Sequence, residues 1–187
     1  MEIKKLAFAD APDPSLIQSL YLRAFPKEEQ MPWFLVRFLI LQRDVDVHGY
    51  YEGDRFCGFT FSAATEQVLF VLFFAVAEEL RGQGYGSKIL QLLQREKPGR
   101  TIVLNVELLD PGAENYAERC SRVAFYKKNG FYDTQYDIDE VGGTFRVLAT
   151  RQTLDVEGYL QVFRKMSFGL WRPYIRKGEN YDQRTES

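Results

Sequence analysis

The hydrophobic pattern is clearest between residues 68 and 97. Val68–Ala77 is an unbroken apolar run, VLFVLFFAVA, and a short run without alternation is typical of a strand that is buried on both faces. Further along, Tyr85, Ile89 and Leu93 recur every four residues among largely polar neighbours, which predicts an amphipathic helix. The segment EELRGQG separates the two patterns. The predicted order is therefore strand, glycine-rich loop, helix.

Two helices and a hairpin are predicted before this strand. A helix over about residues 15–25 follows a turn in which Asp13 or Ser15 can act as the N-cap. A second helical pattern follows Pro32. Over residues 45–61 the period changes to two around a Glu-Gly-Asp turn, which predicts a hairpin. Together with the buried strand, this hairpin forms a predicted antiparallel meander.

A strand, a helix, a hairpin and a last helix are predicted after the glycine-rich loop. The β-branched run at residues 101–107 predicts a strand. Residues 119–129 have a helical pattern that ends at Gly130, and residues 131–150 predict a hairpin around two glycines. An amphipathic helix at residues 156–166 precedes a tail that changes from aromatic to polar, for which we expect a frayed end.

Composition narrows the class of protein. Among the 187 residues, 45% are hydrophobic and 27% are charged, as in a soluble globular protein, and the net charge of −2 argues against nucleic acid as the main partner. No apolar run is long enough to span a bilayer, and the N-terminus lacks a secretory pattern. Cys57 and Cys120 have no metal-binding spacing and are interpreted as small core residues, and His48 as a structural side chain. We therefore predict a cytoplasmic protein without a metal site or a membrane partner.

Three glycines mark the start of the helix. Gly82, Gly84 and Gly86 leave main-chain N–H groups without Cβ atoms to shield them, ahead of the positive end of a helix dipole. This arrangement predicts an anion site. Nucleotide-binding motifs do not fit, because one would need glycine at Ser87 and the other at Ile89. The alternative is a simple turn between strand and helix.

Two motifs carry a resemblance to a known family. Arg81, Gly84 and Gly86 have the spacing of the first motif of the GNAT family of N-acetyltransferases: Gln or Arg, two residues, Gly, one residue, then Gly or Ala. AFYKKNGF at residues 124–131 resembles the second motif of that family, a helix that carries a Tyr and closes in Gly-Phe. The chain is thus identified as a GNAT-like protein.

The resemblance implies an α/β (α+β) fold with a mixed, mostly antiparallel central sheet of about six or seven strands flanked by helices. An extra C-terminal helix is expected to pack on the domain or, in a homodimer, on a second subunit. We predict a single acetyltransferase domain over residues 1–187, with a core over about residues 1–152 and a helix and tail over residues 153–187.

The cofactor implied by the resemblance is acetyl-CoA. In the family, the strands on either side of the glycine-rich loop run parallel and then diverge, and the gap receives the pantetheine arm. The N–H of Val76 is expected to donate to the developing oxyanion. Tyr126 is expected to donate a hydrogen bond to the leaving thiolate, the alternative being a buried core tyrosine. The predicted cofactor-binding residues are Phe74, Ala75, Val76, Arg81, Gly82, Gln83, Gly84, Tyr85, Gly86, Ser87 and Tyr126.

The acceptor needs a group that removes a proton. An amine with a pKa of about 10.4 is mostly protonated at neutral pH. Glu107, at the end of a predicted strand, is the first candidate for the base, the alternative being a surface carboxylate. Glu28, Glu29 and Asp110 are weaker candidates. The resemblance places residues 27–30 in one wall of the acceptor groove, although a solvated connection between helices fits the same pattern.

One position departs from the family. Many members have Asn seven residues before the Tyr, where it contacts the pantetheine, and this chain has Arg119 there, with Asn115 further upstream. Arg119 or Arg122 can instead bind a phosphate or remain solvated.

The resulting hypothesis is an enzyme that moves an acetyl group from acetyl-CoA to a primary amine of a small molecule or peptide by direct transfer. The alternative is a non-catalytic acyl-CoA-binding sensor or assembly module. A transferase for longer acyl chains or for a hydroxyl would differ only in pocket shape. The identity of the acceptor does not follow from these residues.

Overall fold

One mixed sheet with helices on both faces organises this protein. The computed structural model describes residues 2–96, 98–140 and 142–178. Within these ranges the elements are β1 (Lys4–Ala7), α1 (Pro14–Ala24), α2 (Trp33–Leu39), β2 (Val45–Glu52), β3 (Arg55–Ala64), β4 (Val68–Val76), α3 (Tyr85–Glu96), β5 (Thr101–Glu107), α4 (Tyr116–Lys128), β6 (Tyr132–Glu140), β7 (Gly143–Ala149), α5 (Val156–Met166) and β8 (Tyr174–Lys177). Each helix in the described part of the chain is too short or too polar to cross a bilayer.

The order of strands confirms the predicted fold class. In the described residues, eight strands follow the order β1-β2-β3-β4-β5-β7-β6-β8, and every neighbouring pair except β4 and β5 is antiparallel. The expected count was about six or seven. The difference comes from β1 and β8, two four-residue edge strands that are too short to show a period and that form by pairing with β2 and β6. Residues 179–187, the last part of the tail predicted to fray, lie outside the described residues.

β4 and β5 are paired over only part of their length. Their parallel register runs from Val68 opposite Thr101 to Val71 opposite Leu104 and then stops, although both strands continue. The next residue of β4, Leu72, is skipped in the register with β3. An extra residue of this kind bends the bulged strand. β4 therefore turns away from β5, which stays paired with β7 on its other side.

The sheet separates two layers of helices. On one face, Phe70 and Phe73 of β4 pack in a core cluster with residues of α1, α2 and α5. On the other face, Leu69 and Val71 pack with residues of α3 and α4. Of the two expected positions of the C-terminal helix, on the domain or on a second subunit, the structure shows the first: α5 packs on the sheet, and β8 adds an edge strand to that sheet. We propose on this basis that residues 1–187 form one domain.

Two helix ends follow their sequence signals. Asp13 caps α1, since its Oδ1 accepts a hydrogen bond from the Ser15 N–H at 2.9 Å. α4 ends as predicted at Gly130, whose φ is +83°. There the Phe131 N–H donates to the Tyr126 carbonyl at 3.1 Å, which closes the last turn in the manner of a Schellman motif. The start of α4 at Tyr116 is three residues earlier than expected.

A buried ionic cluster holds β6 against β7. The Arg146 side chain is fully buried, and its Nε and Nη1 atoms donate to Asp137 at 2.7 Å and to Asp133 at 2.8 Å. The register of β6 with β7 is interrupted between these two aspartates, where Gln135 has a φ of +60°. Arg146 therefore stabilises an irregular strand by pairing with the carboxylate on each side of the irregularity.

We expect Arg146→Met to lower the free energy of unfolding by about 3–5 kcal/mol, because it leaves two carboxylates near the core without a cation. Urea denaturation at neutral pH measures the change. Arg164→Met is the matched control, since Arg164 pairs with Glu157 at the surface, and its cost should stay below about 1 kcal/mol. Equal costs for the two variants would contradict a stabilising role of the buried cluster.

Candidate active site

A cleft passes through the sheet where β4 and β5 diverge. It encloses about 810 Å³. One end lies between the glycine-rich loop and α4, and the other lies between α1 and α5. The cleft therefore connects the two faces of the sheet.

The glycine-rich loop has the conformation that its glycines permit. Gly82 and Gly84 have φ values of +74° and +84°, which L side chains rarely adopt. The Lys88 N–H donates to the Gly84 carbonyl at 3.1 Å as α3 begins. The N–H groups of the first turn have no intrahelical acceptor and remain available to a ligand. A Cβ at Gly86 would lie 2.9 Å from Phe125, so glycine there also lets α3 approach α4.

Most of the residues predicted to bind the cofactor line the cleft. Those that do are Phe74, Ala75, Val76, Arg81, Gly82, Gly84, Gly86, Ser87 and Tyr126. The side chains of Gln83 and Tyr85 point elsewhere. Gln83 donates to the Glu79 carbonyl at 2.7 Å, and the Tyr85 hydroxyl donates to Glu52 at 2.6 Å within a buried cluster. The Gln83 N–H also donates to the Leu80 carbonyl at 3.3 Å, so of these two residues only Tyr85 has a main-chain N–H that remains available to a ligand.

The free edge of β4 presents main-chain donors to the cleft. The Ala77 N–H donates to the Cys57 carbonyl at 2.9 Å, so position 77 is bonded to β3. Successive N–H groups of a strand point to opposite edges. The N–H of Val76, and by the same alternation that of Phe74, therefore points to the side where β5 has moved away. This orientation is the one that the predicted oxyanion contact requires.

Tyr126 lies on α4 at the wall of the cleft. Its ring is 8% exposed and packs edge-on against Phe125 and Phe131, with centroid separations of 5.2 and 5.6 Å. Burial raises the pKa of Tyr126 to about 12. Its hydroxyl makes no hydrogen bond within the part of the chain that the structure describes. The phenol is thus protonated and free to donate into the cleft.

Glu107 is held by two arginines. Its Oε1 lies 3.0 Å from Arg119 Nη2 and accepts from Asn115 Nδ2 at 3.1 Å, while its Oε2 accepts from Arg122 at 2.6 Å. Arg119 also donates to the Leu108 carbonyl at 2.8 Å. This arrangement disfavours Glu107 as the base, because both oxygens are occupied. It also occupies Arg119, whereas Asn115 and Arg122 reach the cleft wall.

Glu140, at the end of β6, is a cleft residue that the sequence pattern did not indicate. Its Oε1 accepts a hydrogen bond from Asn105 Nδ2, and Asn105 Oδ1 accepts one from the Tyr159 hydroxyl at 2.9 Å. Among the described residues, the second oxygen of Glu140 has no hydrogen-bond partner. Burial, with a smaller effect of the Glu29 charge, raises the pKa of Glu140 to about 7. A carboxyl that titrates near neutral pH can accept a proton there.

The loop between α1 and α2 reaches the same cleft. Gln30 donates to the Phe25 carbonyl at 2.7 Å, which ties this loop to the end of α1. Glu29 lines the cleft and an adjoining cavity of about 720 Å³ beside Gly142 and Gly143. Burial raises the pKa of Glu29, and the nearby Glu107 charge adds to the effect. The side chain of Glu28 is exposed and does not line either cavity. Asp110 lines the adjoining cavity only.

Comparison with known protein families assigns the chain to one of them. The family model described as "Acetyltransferase (GNAT) domain" matches residues 37–133, more than half of the chain. The chain therefore belongs to the GNAT family of acetyltransferases, as its two motifs predicted. It is an acetyltransferase by class. A comparison with curated proteins found no match.

Solved structures of the same family share the fold. A GNAT-family protein from Bacteroides thetaiotaomicron superposes with a TM-score of 0.71 at 22% identity, covering 91% of this chain and 100% of that one. The ribosomal-protein-S18-alanine N-acetyltransferase of Escherichia coli gives 0.57 at 18% identity, covering 83% and 96%. An acetyltransferase of Bacillus subtilis in complex with CoA gives 0.55 at 17% identity, covering 79% and 97%. At these identities the likeness shows the fold alone.

We expect Glu140→Gln to change how stability depends on pH. Because folding raises the pKa of Glu140, the native protein loses stability as pH rises from about 4.5 through about 7. The amide variant does not ionise, so at pH 8 it should gain about 2–3 kcal/mol in unfolding free energy relative to its difference at pH 4.5. Urea denaturation at both pH values measures the gain.

Glu66→Gln is the matched control for this measurement, since Glu66 is exposed in the turn before β4. Its difference from the native protein should be the same at both pH values. A pH-independent difference for Glu140→Gln as well would show that Glu140 titrates at its ordinary pKa.

Proposed function

We propose that this protein transfers an acetyl group from acetyl-CoA to a primary amine of a small molecule or peptide. The observation that carries the proposal is the cleft through the sheet, which has main-chain donors at its glycine-loop end and Glu140 towards the opposite face. A thioester that enters from one face and an amine that enters from the other would meet beside Val76 and Tyr126. The CoA present in the Bacillus subtilis relative supports the choice of donor.

The glycine-rich loop and the edge of β4 are suited to the two halves of the cofactor. The diphosphate would accept hydrogen bonds from the N–H groups of Gly82 and of residues 84–87, where the dipole of α3 adds favourable charge, whereas the Gln83 N–H donates to the Leu80 carbonyl. The amide-rich pantetheine arm would take the place of a neighbouring strand along Phe74–Val76. In this position the carbonyl of the thioester lies at the Val76 N–H, which would stabilise the oxyanion formed when the amine attacks.

Glu140 is the group that we assign to proton removal. The amine must lose its proton before its nitrogen lone pair can form a bond to the thioester carbon. Within the described ranges, one oxygen of Glu140 has no hydrogen-bond partner, whereas both oxygens of Glu107 are bound to arginines. Asn105 and Tyr159 hold Glu140 in place, so they act as positioning residues. In this proposal Glu107 has a structural role, which is to hold Arg119 and Arg122 of α4 beside the end of β5.

Tyr126 is assigned to the leaving group. As the carbon–sulfur bond breaks, the electron pair goes to the CoA sulfur, and the second proton lost by the amide nitrogen can end on this thiolate, since a thiol has a pKa of about 8.5. The higher pKa of Tyr126 means that the phenol donates a hydrogen bond to the thiolate and keeps its own proton at equilibrium. Transfer is direct in this scheme, with both substrates bound at once.

The experiment that tests the function measures CoA thiol release with acetyl-CoA and a panel of amines, together with acetyl-CoA binding by calorimetry. The expected result is amine-dependent thiol release and an acetylated product seen by mass spectrometry. Tight acetyl-CoA binding without transfer to any amine would overturn the proposal and indicate a non-catalytic binding module.

Tyr126→Phe should lower kcat by about 10²-fold or more, since removing a hydrogen bond made mainly in the transition state affects turnover rather than ground-state binding. Steady-state kinetics and calorimetry separate the two effects, and the Kd for acetyl-CoA should change by less than about threefold. Tyr132→Phe is the control, because Tyr132 is exposed on β6 outside the cleft. An unchanged kcat for Tyr126→Phe would remove its hydroxyl from the chemistry.

Glu140→Gln and Glu107→Gln should differ in their pH–rate profiles. The native enzyme should gain activity as pH rises through about 7, where Glu140 ionises beside Glu29. This rise is the acidic limb of the profile. Glu140→Gln should lose this limb and about 10²–10⁴-fold in kcat/KM for the amine, the usual range for a general base. Glu107→Gln should keep the limb. If only Glu107→Gln removes it, the roles of the two carboxylates are reversed.

A further inference from the structure

The end of the cleft that faces α1 and α5 is walled by large apolar side chains. The aromatic rings adjoin one another: Phe25 lies 4.8 Å from Phe73, Phe70 lies 5.0 Å from Phe163, and Phe163 lies 5.2 Å from Trp171, between ring centroids. Met31 and Met166 line the same part of the cleft. An amine bound here would place its body against an apolar surface.

The cationic side chains that line the cleft lie at its other end. The lining residues contributed by α1, the loop after it, α5 and the segment that follows α5 are all apolar except Glu29. The cations that line the described cleft, Arg81, Arg122 and Lys128, belong to the glycine-rich loop and to α4 on the other face. A carboxylate on the body of the acceptor would therefore be desolvated against this wall without a cation, and a second ammonium would compete with the reacting one for Glu29 and Glu140.

Glu140 and the apolar wall are connected through side chains of α5. Tyr159 contacts Asn105, which binds Glu140, and the Tyr159 ring lies 5.2 Å from the ring of Phe163. Glu140 is thus linked to Phe163 through Asn105 and Tyr159. An ammonium beside Glu140 and Glu29 would offset part of the charge of the two carboxylates while its substituent extends towards Trp171.

We propose that the acceptor is a hydrophobic primary amine, an arylalkyl or alkyl amine with no second charge, whose ammonium binds at Glu140 and Glu29 and whose body packs against Phe25, Met31 and Trp171. This inference rests on the proposed function and specifies its substrate class. It excludes polyamines, aminoglycosides and free amino acids as preferred acceptors.

The test compares pairs of amines that differ by one charge, using the full chain and acetyl-CoA. The pairs are 2-phenylethylamine with phenylalanine, and hexylamine with 1,6-diaminohexane. The first amine of each pair, whose body is uncharged, should have a kcat/KM at least about tenfold higher than that of the second amine, after correction for the fraction of free amine. Faster acetylation of phenylalanine or of the diamine would overturn the substrate class and leave the proposed function standing. Transfer to no amine at all would overturn both.

A pair of variants tests the wall itself. Trp171 is 38% exposed and lines the cleft, whereas its neighbour Leu170 is 89% exposed and does not. Trp171→Ser should lower kcat/KM for 2-phenylethylamine by about tenfold and for ethylamine by less than about twofold, because only the larger amine reaches the wall. Leu170→Ser should change neither. Equal losses of Trp171→Ser for both amines would contradict the apolar contact, and the amine pairs test the same inference on the unaltered chain.

Discussion

The separation of β4 from β5 is the constraint on which the rest of the structure depends. A parallel pair buried on both faces would normally continue to its full length, since each unpaired main-chain group inside a protein is costly. Here the extra residue at Leu72 bends β4, while β7 keeps β5 in place. The bend creates the cleft and leaves the N–H groups of β4 without strand partners. A ligand with amide groups would satisfy those donors, so the same distortion that weakens the sheet creates the proposed binding site.

Ion pairing decides which acidic side chains near the cleft remain available. Glu107 lies between Arg119 and Arg122 and serves to fix α4 beside the end of β5. Among the residues that the structure describes, Glu140 is hydrogen-bonded to a neutral side chain, Asn105, which is itself bonded to Tyr159. A carboxylate without a cation in a partly buried place is poorly stabilised in its charged form, which is the condition for taking up a proton near neutral pH. Two glutamates that line the same cleft thus differ in whether arginine side chains are paired with them.

The C-terminal helix is part of the site rather than an addition to it. α5 packs on the face of the sheet opposite the glycine-rich loop and brings Tyr159 to Asn105 and Phe163 to the cleft. The following segment adds Trp171 to the same wall. In the proposed arrangement, the cofactor end of the cleft is formed by the two motif regions that identify the family, and the acceptor end is formed largely by elements outside them. This division explains why the motifs indicate the reaction and leave the acceptor open.

The sequence by itself determined the elements whose signals are local: the buried strand β4, the glycine-rich loop, α3, and the stop of α4 at Gly130. It also determined the family, because the residues of each motif lie within one loop or one helix. Only the tertiary structure decided that Glu140 reaches the cleft and that Glu107 is neutralised, since both facts depend on contacts between residues that are far apart in the chain. The hydrogen bond of the Tyr85 hydroxyl to Glu52 and the edge strands β1 and β8 were decided in the same way. A period or a turn signal reports how a segment folds, whereas the pairing of strands and the approach of helices set which charges meet, and those meetings fix the chemistry of the site.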